Sequence, residues 1–482
     1  KIIFRYKKMV NFIALDLILL VIFVIFASVF LYVKRKNLGT DGGLILYRTQ
    51  WGVNLINYFG GKYKKTLKVL SYLSILTGYL LMIGILFLVG QTVYIYLTTS
   101  IASVIKAPPI MPLIPYFPKL FGLESFFPPF YFTYFILALI IVATVHEFAH
   151  GIFARRYNIR IKSTGFAFFK YFPALFGAFV EQDEKQMEKK KRFEQMSVLS
   201  AGVFANLIIT LLFFLLLAGY FAAAFVPSGI MFDTYSYSAV EISAISMVNG
   251  VSLENPDYEK IIGLLNENGL TKIKVDGESF VATKKFLNSQ KEKEGFIVLY
   301  DDAPAINAEL GGVITHINDI RVNNIEKLGE ELSKYSPGEE VEIKTLGDNG
   351  EETKKIILEE NPKNKNLVWI GIGFLEREKK GVFGKIYSSL SFFKKEHVYY
   401  EPEYETSVFI YDLLWWIVLI NLAVALFNML PLGFLDGGRF FYLTILELTK
   451  SKKIAQRAFA GVTYFLLFLL FVLMSKWIFT FF

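Results

Sequence analysis

The sequence predicts a polytopic α-helical membrane protein with about six transmembrane helices and an inserted soluble α+β region. Three observations carry that expectation. The 482 residues are 54% hydrophobic and only 20% charged, whereas soluble domains carry a charged share near a quarter. Apolar stretches of bilayer-crossing length, about 20 residues, recur six times. Between the fourth and fifth of them lies a long segment rich in Lys, Glu, Asn and Gly, with short apolar runs and turn residues.

The expected spans fall at 11–33, 69–98, 129–154, 196–226, 408–431 and 458–482. The first is too long for a secretory signal and lacks a small-residue cleavage site, so it reads as an anchor. Residues 227–405 form the water-soluble insert. An aromatic share of 17%, with 48 Phe, suits lipid-facing helices. The absence of cysteine excludes disulfides, thiolate metal sites and cysteine nucleophiles.

Lys and Arg gather on the cytoplasmic side of membrane proteins. Segment 34–68 carries eight basic residues against Asp41, and 155–194 carries ten. Between them, 99–128 holds only Lys106, Lys119 and Glu124. The last connection adds Arg439, Lys450, Lys452, Lys453 and Arg457. This alternation puts both termini and the insert outside the cytoplasm; Lys1, Arg5, Lys7 and Lys8 pull the other way. The net charge of +8 is then a matter of topology. The expected environment is a lipid bilayer, and no nucleic-acid partner is needed to account for the charge.

The third span ends in His146-Glu147-Phe148-Ala149-His150. Helix positions i and i+4 share a face, so the two imidazoles converge, and Glu147 beside them can take a proton from a metal-activated water. The bland alternative is a pair of helix-end histidines bonded to backbone carbonyls. Ionisable groups inside a membrane cost about 2.5–3.5 kcal/mol each even on lenient scales, a cost that metal binding offsets.

A hydrolytic zinc normally has three protein ligands. His316 and His397 lie in the soluble insert, while Asp16 and Asp412 open spans one and five from the outer face. Asp436 is at matching depth, after Asn428-Met-Leu-Pro431-Leu-Gly433-Phe-Leu-Asp436-Gly437-Gly438. Pro431 breaks the helix and the glycines let the backbone fold back. Alone, Asp436-Gly437 reads equally well as a turn; beside HEFAH it reads as the third ligand.

HEFAH, Ala201-Gly202-Val-Phe-Ala-Asn206 in span four, and the Asn428-x-x-Pro431…Leu435-Asp436-Gly437-Gly438 stretch together resemble the site-2 protease family of intramembrane zinc metalloproteases. The resemblance covers spans three to five. It implies one Zn2+ per chain bound by His146, His150 and Asp436, with Glu147 as general base and acid. It also implies that Asn206 and Asn428 are catalytic residues that help hold the substrate or its oxyanion. The chain departs from the family at Gly433, where a second proline is frequent. Read without the resemblance, an amide in an apolar span is commonly glue between helices. Gly202 and Asn206 form a small-xxx-polar pair, and Asn421 reads as packing. Residues 163–181 offer either an extended edge that captures a substrate strand or a membrane-dipping aromatic loop.

In the insert, Ile245-Ser-Met-Val-Asn249-Gly-Val-Ser-Leu matches Ile314-Thr-His-Ile-Asn318-Asp-Ile-Arg-Val at a spacing of 69 residues. Each unit reads as strand, turn, strand, helix, hairpin. The second, led by Asp302-Ala-Pro-Ala, resembles a PDZ domain and the first a divergent copy, so each is a candidate binder of an extended peptide or a plain spacer. The expected organisation is an N-terminal membrane region (1–128), the first half of a catalytic membrane core (129–226), a divergent PDZ-like module (227–294) and a PDZ-like module (295–378). An amphipathic juxtamembrane linker (379–407) carrying Phe383, Ile386, Leu390 and Phe393 follows, then the second half of the core with the last span (408–482). The expected function is intramembrane zinc endoproteolysis of single-span membrane proteins, with the site near the cytoplasmic side. The alternative is a catalytically inactive PDZ-bearing scaffold. A metal-coupled transporter would want internal span repeats, which the spans do not show.

Overall fold

The computed structural model describes residues 12–99, 111, 113–290, 295–347, 350–362, 364–375 and 391–479. They form a membrane unit, 6–220 with 408–482, and a soluble unit within 221–407. Among the described residues six helices are long and apolar enough to cross a membrane, so the chain is a multi-pass membrane protein with an inserted sheet-rich region.

The membrane unit opens with α1 (Phe12–Lys34), β1 (Leu38–Asp41), β2 (Leu44–Thr49), α2 (Trp51–Lys62) and α3 (Lys64–Thr98). It continues through α4 (Phe117–Leu120), α5 (Phe132–Arg156), β3 (Ile161–Phe169), β4 (Phe176–Gln182), α6 (Glu184–Glu188) and α7 (Arg192–Ala224). After the soluble unit come α12 (Ser407–Asn428), α13 (Asp436–Thr449) and α14 (Lys452–Phe479). Span α1 leaves most of its large apolar side chains exposed, and α14 seven of its own, as lipid-facing helices do. The inner helices meet through small and hydroxyl side chains: Ser74 Oγ lies 2.7 Å from Ser200 Oγ, and Tyr157 donates to Ser71 Oγ at 2.8 Å. Such groups let spans approach and satisfy one another away from water.

Two features leave no signal in the sequence. The basic segment 34–68, whose charge suggests a loop, contains the β1–β2 hairpin and α2. With β3 and β4 these strands form an antiparallel sheet in the order β1-β2-β3-β4. Asp16 is the second. It is fully buried and accepts from the N–H groups of Phe132 and Thr133, at 2.7 and 2.9 Å, and from the hydroxyls of Thr133 and Tyr116. The cap residue of α5, Tyr131, has no side-chain acceptor of its own; a carboxylate on another span caps the helix instead.

The soluble unit runs β5 (Phe225–Met231), β6 (Thr234–Tyr235), β7 (Tyr237–Glu241), β8 (Ile245–Val248), β9 (Val251–Ser252), α8 (Tyr258–Gly263), β10 (Thr271–Val275) and β11 (Glu278–Ala282). Next are α9 (Lys284–Asn288), β12 (Phe296–Asp301), α10 (Pro304–Asn307), β13 (Val313–Ile317), β14 (Ile320–Arg321), α11 (Ile325–Leu332), β15 (Glu340–Gly347) and β16 (Gly350–Ile357). Strands β17 (Glu359–Asn361), β18 (Asn364–Trp369), β19 (Ile372–Gly373) and β20 (Val398–Pro402) close it. The 69-residue repeat is structural: β8-β9-α8-β10-β11 and β13-β14-α11-β15-β16 follow the same order. Asn249 and Asn318 both take a positive φ in the first turn, and their N–H groups donate to Lys272 O and Glu342 O at 2.9 and 2.6 Å.

Strand pairing crosses position 294/295, the boundary expected from the sequence. Strand β12, beyond that boundary, pairs with β11 and β7 in the first sheet, while β5, before both repeats, pairs with β13 in the second. Apolar patterning specifies that a strand is buried, not which sheet receives it. Within the expected juxtamembrane linker, residues 398–402 are strand β20, paired with β5; Phe383, Ile386 and Leu390 lie outside the described residues.

Candidate metal centre

The second half of α5 carries both imidazoles, one turn apart. Their Nε2 atoms are 3.0 Å from each other, and Asp436 Oδ2 is 3.2 Å from each. The three donor atoms all lie within 4.8 Å of one another, and both histidines are buried. Side chains that stand 290 positions apart in the sequence thus meet inside the membrane unit.

Glycines make that meeting possible. A Cβ at Gly202 of α7 would stand 2.4 Å from His150 Nε2 and 2.6 Å from His146 Cε1, so only hydrogen there lets α7 lie against the rings. Asp436 opens helix α13 rather than sitting in a free turn. A Cβ at Gly437 would meet the Met429 carbonyl at 2.4 Å, and one at Gly438 the Leu432 oxygen at 2.1 Å. The first turn of α13 is folded directly onto the 429–433 backbone. Gly433 is different: a Cβ there meets nothing closer than Phe459 at 3.6 Å, so the local shape does not depend on that glycine. Arg439 Nη1 to Glu184 Oε2 at 2.7 Å, and Arg192 Nη1 to Glu447 Oε2 at 2.6 Å, tie α13 to α6 and α7.

The chemistry of the donors suits a metal ion. His150 Nδ1 lies 2.7 Å from Val198 O. A carbonyl only accepts, so Nδ1 carries the proton and Nε2 keeps its lone pair for a metal. His146 Nδ1 lies 3.1 Å from the Asn206 side-chain amide, whose far end is buried without a partner among the described residues; a His146 that ligates through Nε2 carries its proton on Nδ1, so the amide oxygen is the end that must face it. Glu147 Oε2 accepts the Val180 N–H at 3.0 Å.

Of the residues singled out in the sequence, His146, His150, Asp436 and Asn206 come together. Asn428 closes α12 half-buried and does not enter that hydrogen-bond network. Asn421 is buried and donates back to Ile417 O at 2.8 Å. His316 and His397 are in the soluble unit, beside Thr315 Oγ1 at 3.1 Å and Asp233 Oδ2 at 3.1 Å. Sequence reasoning missed the Val198 carbonyl and the Val180 amide, because backbone groups carry no residue-type signal.

Two imidazoles and a carboxylate thus converge among membrane-spanning helices as a group that could hold a metal ion. The family comparison agrees: the model of peptidase family M50 matches residues 134–473, more than half of the chain. The chain belongs to peptidase family M50, the site-2 protease family expected from HEFAH and LDGG. It is also similar to an uncharacterized protein of Methanocaldococcus jannaschii, MJ0971. The two are 25% identical over 428 residues, 87% of this chain and 83% of that one.

Proposed function

We propose that this protein is an intramembrane zinc endopeptidase that hydrolyses a peptide bond in or near the transmembrane segment of single-span membrane proteins. The observation that carries the reading is the convergence of His146, His150 and Asp436 inside the membrane unit. M50 membership adds zinc dependence as a family property. These three residues would hold the zinc ion, which would supply Lewis acidity to a water and to the scissile carbonyl. Glu147 takes the proton of that water and returns it to the leaving amine. Val198 fixes the tautomer of His150. Asn206 and Asn428 are the proposed substrate-holding amides.

A substrate helix must unwind before its carbonyl is open to attack, since a helical carbonyl is already bonded four residues along. Strand β4 gives an unwound segment an edge to pair with, of the two readings of 163–181 the one that the observed strands favour. The site is proposed to lie near the cytoplasmic side, with the soluble unit outside; a label near residue 350 then reports the outer face. The two repeats are proposed to be PDZ-like modules that bind peptide or restrict access.

Metal analysis with a cleavage assay tests the reading. About one zinc per chain is expected, lost in His146→Ala and retained in Glu147→Gln, which does not cleave. Cleavage by Glu147→Gln at the parent rate rejects the general base.

A further inference from the structure

Strand β4 is the outer strand of its sheet: among the described residues its ladder is with β3 alone. Alternation along an antiparallel pair decides which backbone groups face outward. Phe169 of β3 donates its N–H to Leu175 O, so Phe169, Ala167 and Gly165 turn their polar backbone toward β4. Gly177 and Phe179, their register partners, turn theirs back. Phe176, Ala178 and Val180 therefore present N–H and C=O away from β3. Val180 is the one whose outward N–H is held by Glu147 Oε2, at 3.0 Å. One turn along α5, a Cβ on Gly151 would lie 3.1 Å from Val180 Cγ1, so the helix runs close against this edge. The carboxylate occupies the place in the ladder that the carbonyl of an added strand needs.

We infer that the Val180 amide is a shared donor: a substrate strand adding to β4 takes this N–H with one of its carbonyls, displaces Glu147 from it, and so releases the general base only beside a captured strand. The inference rests on the proposed function, both for capture by β4 and for Glu147 as base. A carboxylate is a stronger acceptor than a carbonyl, so Glu147 competes with the substrate, and its removal should tighten binding. A merely structural strut between α5 and β4 predicts the opposite sign, because its loss loosens the edge.

The test measures binding without cleavage, by fluorescence anisotropy on the zinc-loaded full chain in detergent. The probe is a labelled synthetic peptide of about 20 Leu and Ala residues with a central Asn-Pro-Gly break. Glu147→Gln keeps an acceptor oxygen at the same reach, whereas Glu147→Ala leaves none. Glu147→Ala is expected to bind the probe roughly three- to tenfold tighter than Glu147→Gln. The difference should vanish when Val180→Pro removes the amide, a change an outer strand tolerates. Hydrogen exchange at residue 180 should quicken in Glu147→Ala and slow again on adding the probe, which decides the matter even where Val180→Pro fails to fold. Binding by Glu147→Ala equal to or weaker than Glu147→Gln overturns the inference while leaving the protease reading intact. Absence of binding by every form, with no cleavage by the parent, overturns both.

Discussion

In the soluble unit a helix finds its cap three residues away. Asp257 accepts the Lys260 N–H at 2.8 Å and Asn324 the Lys327 N–H at 2.7 Å. In the membrane unit, α5 takes its cap from Asp16, 116 positions earlier. The contrast follows from solvent. A helix end in water can borrow a neighbour or a water molecule, whereas one inside a membrane must have each polar group satisfied by protein. The two soluble-unit caps are therefore local, whereas Asp16 ties two distant segments of the membrane unit together. The same holds for the metal centre, where α5, α7 and α13 each contribute a group to one hydrogen-bonded cluster.

That contrast can be broken most sharply at Gly202. Gly202→Ala places a methyl group 2.4 Å from His150 Nε2, and is expected to abolish zinc binding and cleavage, read by metal content. Gly433→Ala, with 3.6 Å of clearance, should leave both within about twofold. Next in size is Asp16→Ala, which strands four donors and should cost about 3 kcal/mol of stability in detergent. Asp257→Ala, the local counterpart, should lower the unfolding midpoint of the soluble unit only slightly, with cleavage unchanged. A loss equal to that of Asp16→Ala would remove the distinction between local and distant caps.

The smallest effect concerns Asp302. Burial pushes its carboxyl up, but hydrogen bonds from Ser279 and Asn307 and the charge of Lys272 hold it below the usual carboxylate range. A lowered folded value means stability that is present above the unfolded value, about 3.9, and lost as pH falls through the folded one. The parent should therefore lose more of its unfolding midpoint than Asp302→Asn between neutral pH and about pH 3.

Much of this is legible in the sequence alone. The six spans follow from runs of apolar residues, and the triad from an i, i+4 pair plus a carboxylate at matching depth. The repeat follows from turn chemistry: Asn249-Gly250 and Asn318-Asp319 stand at equivalent places. What stays hidden has a common cause. Asp16 sits in an apolar run with nothing nearby to pair with, so its partners are set by tertiary packing. Leu44–Thr49 carries a basic residue in a segment whose charge suggests a loop. The exchange of β5 and β12 between sheets leaves no local trace, because the sheet that receives a strand is set by tertiary packing.

The soluble unit begins and ends on one ladder. Phe225, the residue after α7, is the register partner of Pro402, five residues before α12, and such partners stand about 5 Å apart. The 178 residues from 225 to 402 form a detachable cassette whose two attachment points already touch. A splice of a few glycines bridges that gap. Evolution, or an engineer, can therefore exchange the whole head for another without stretching the chain at its seam.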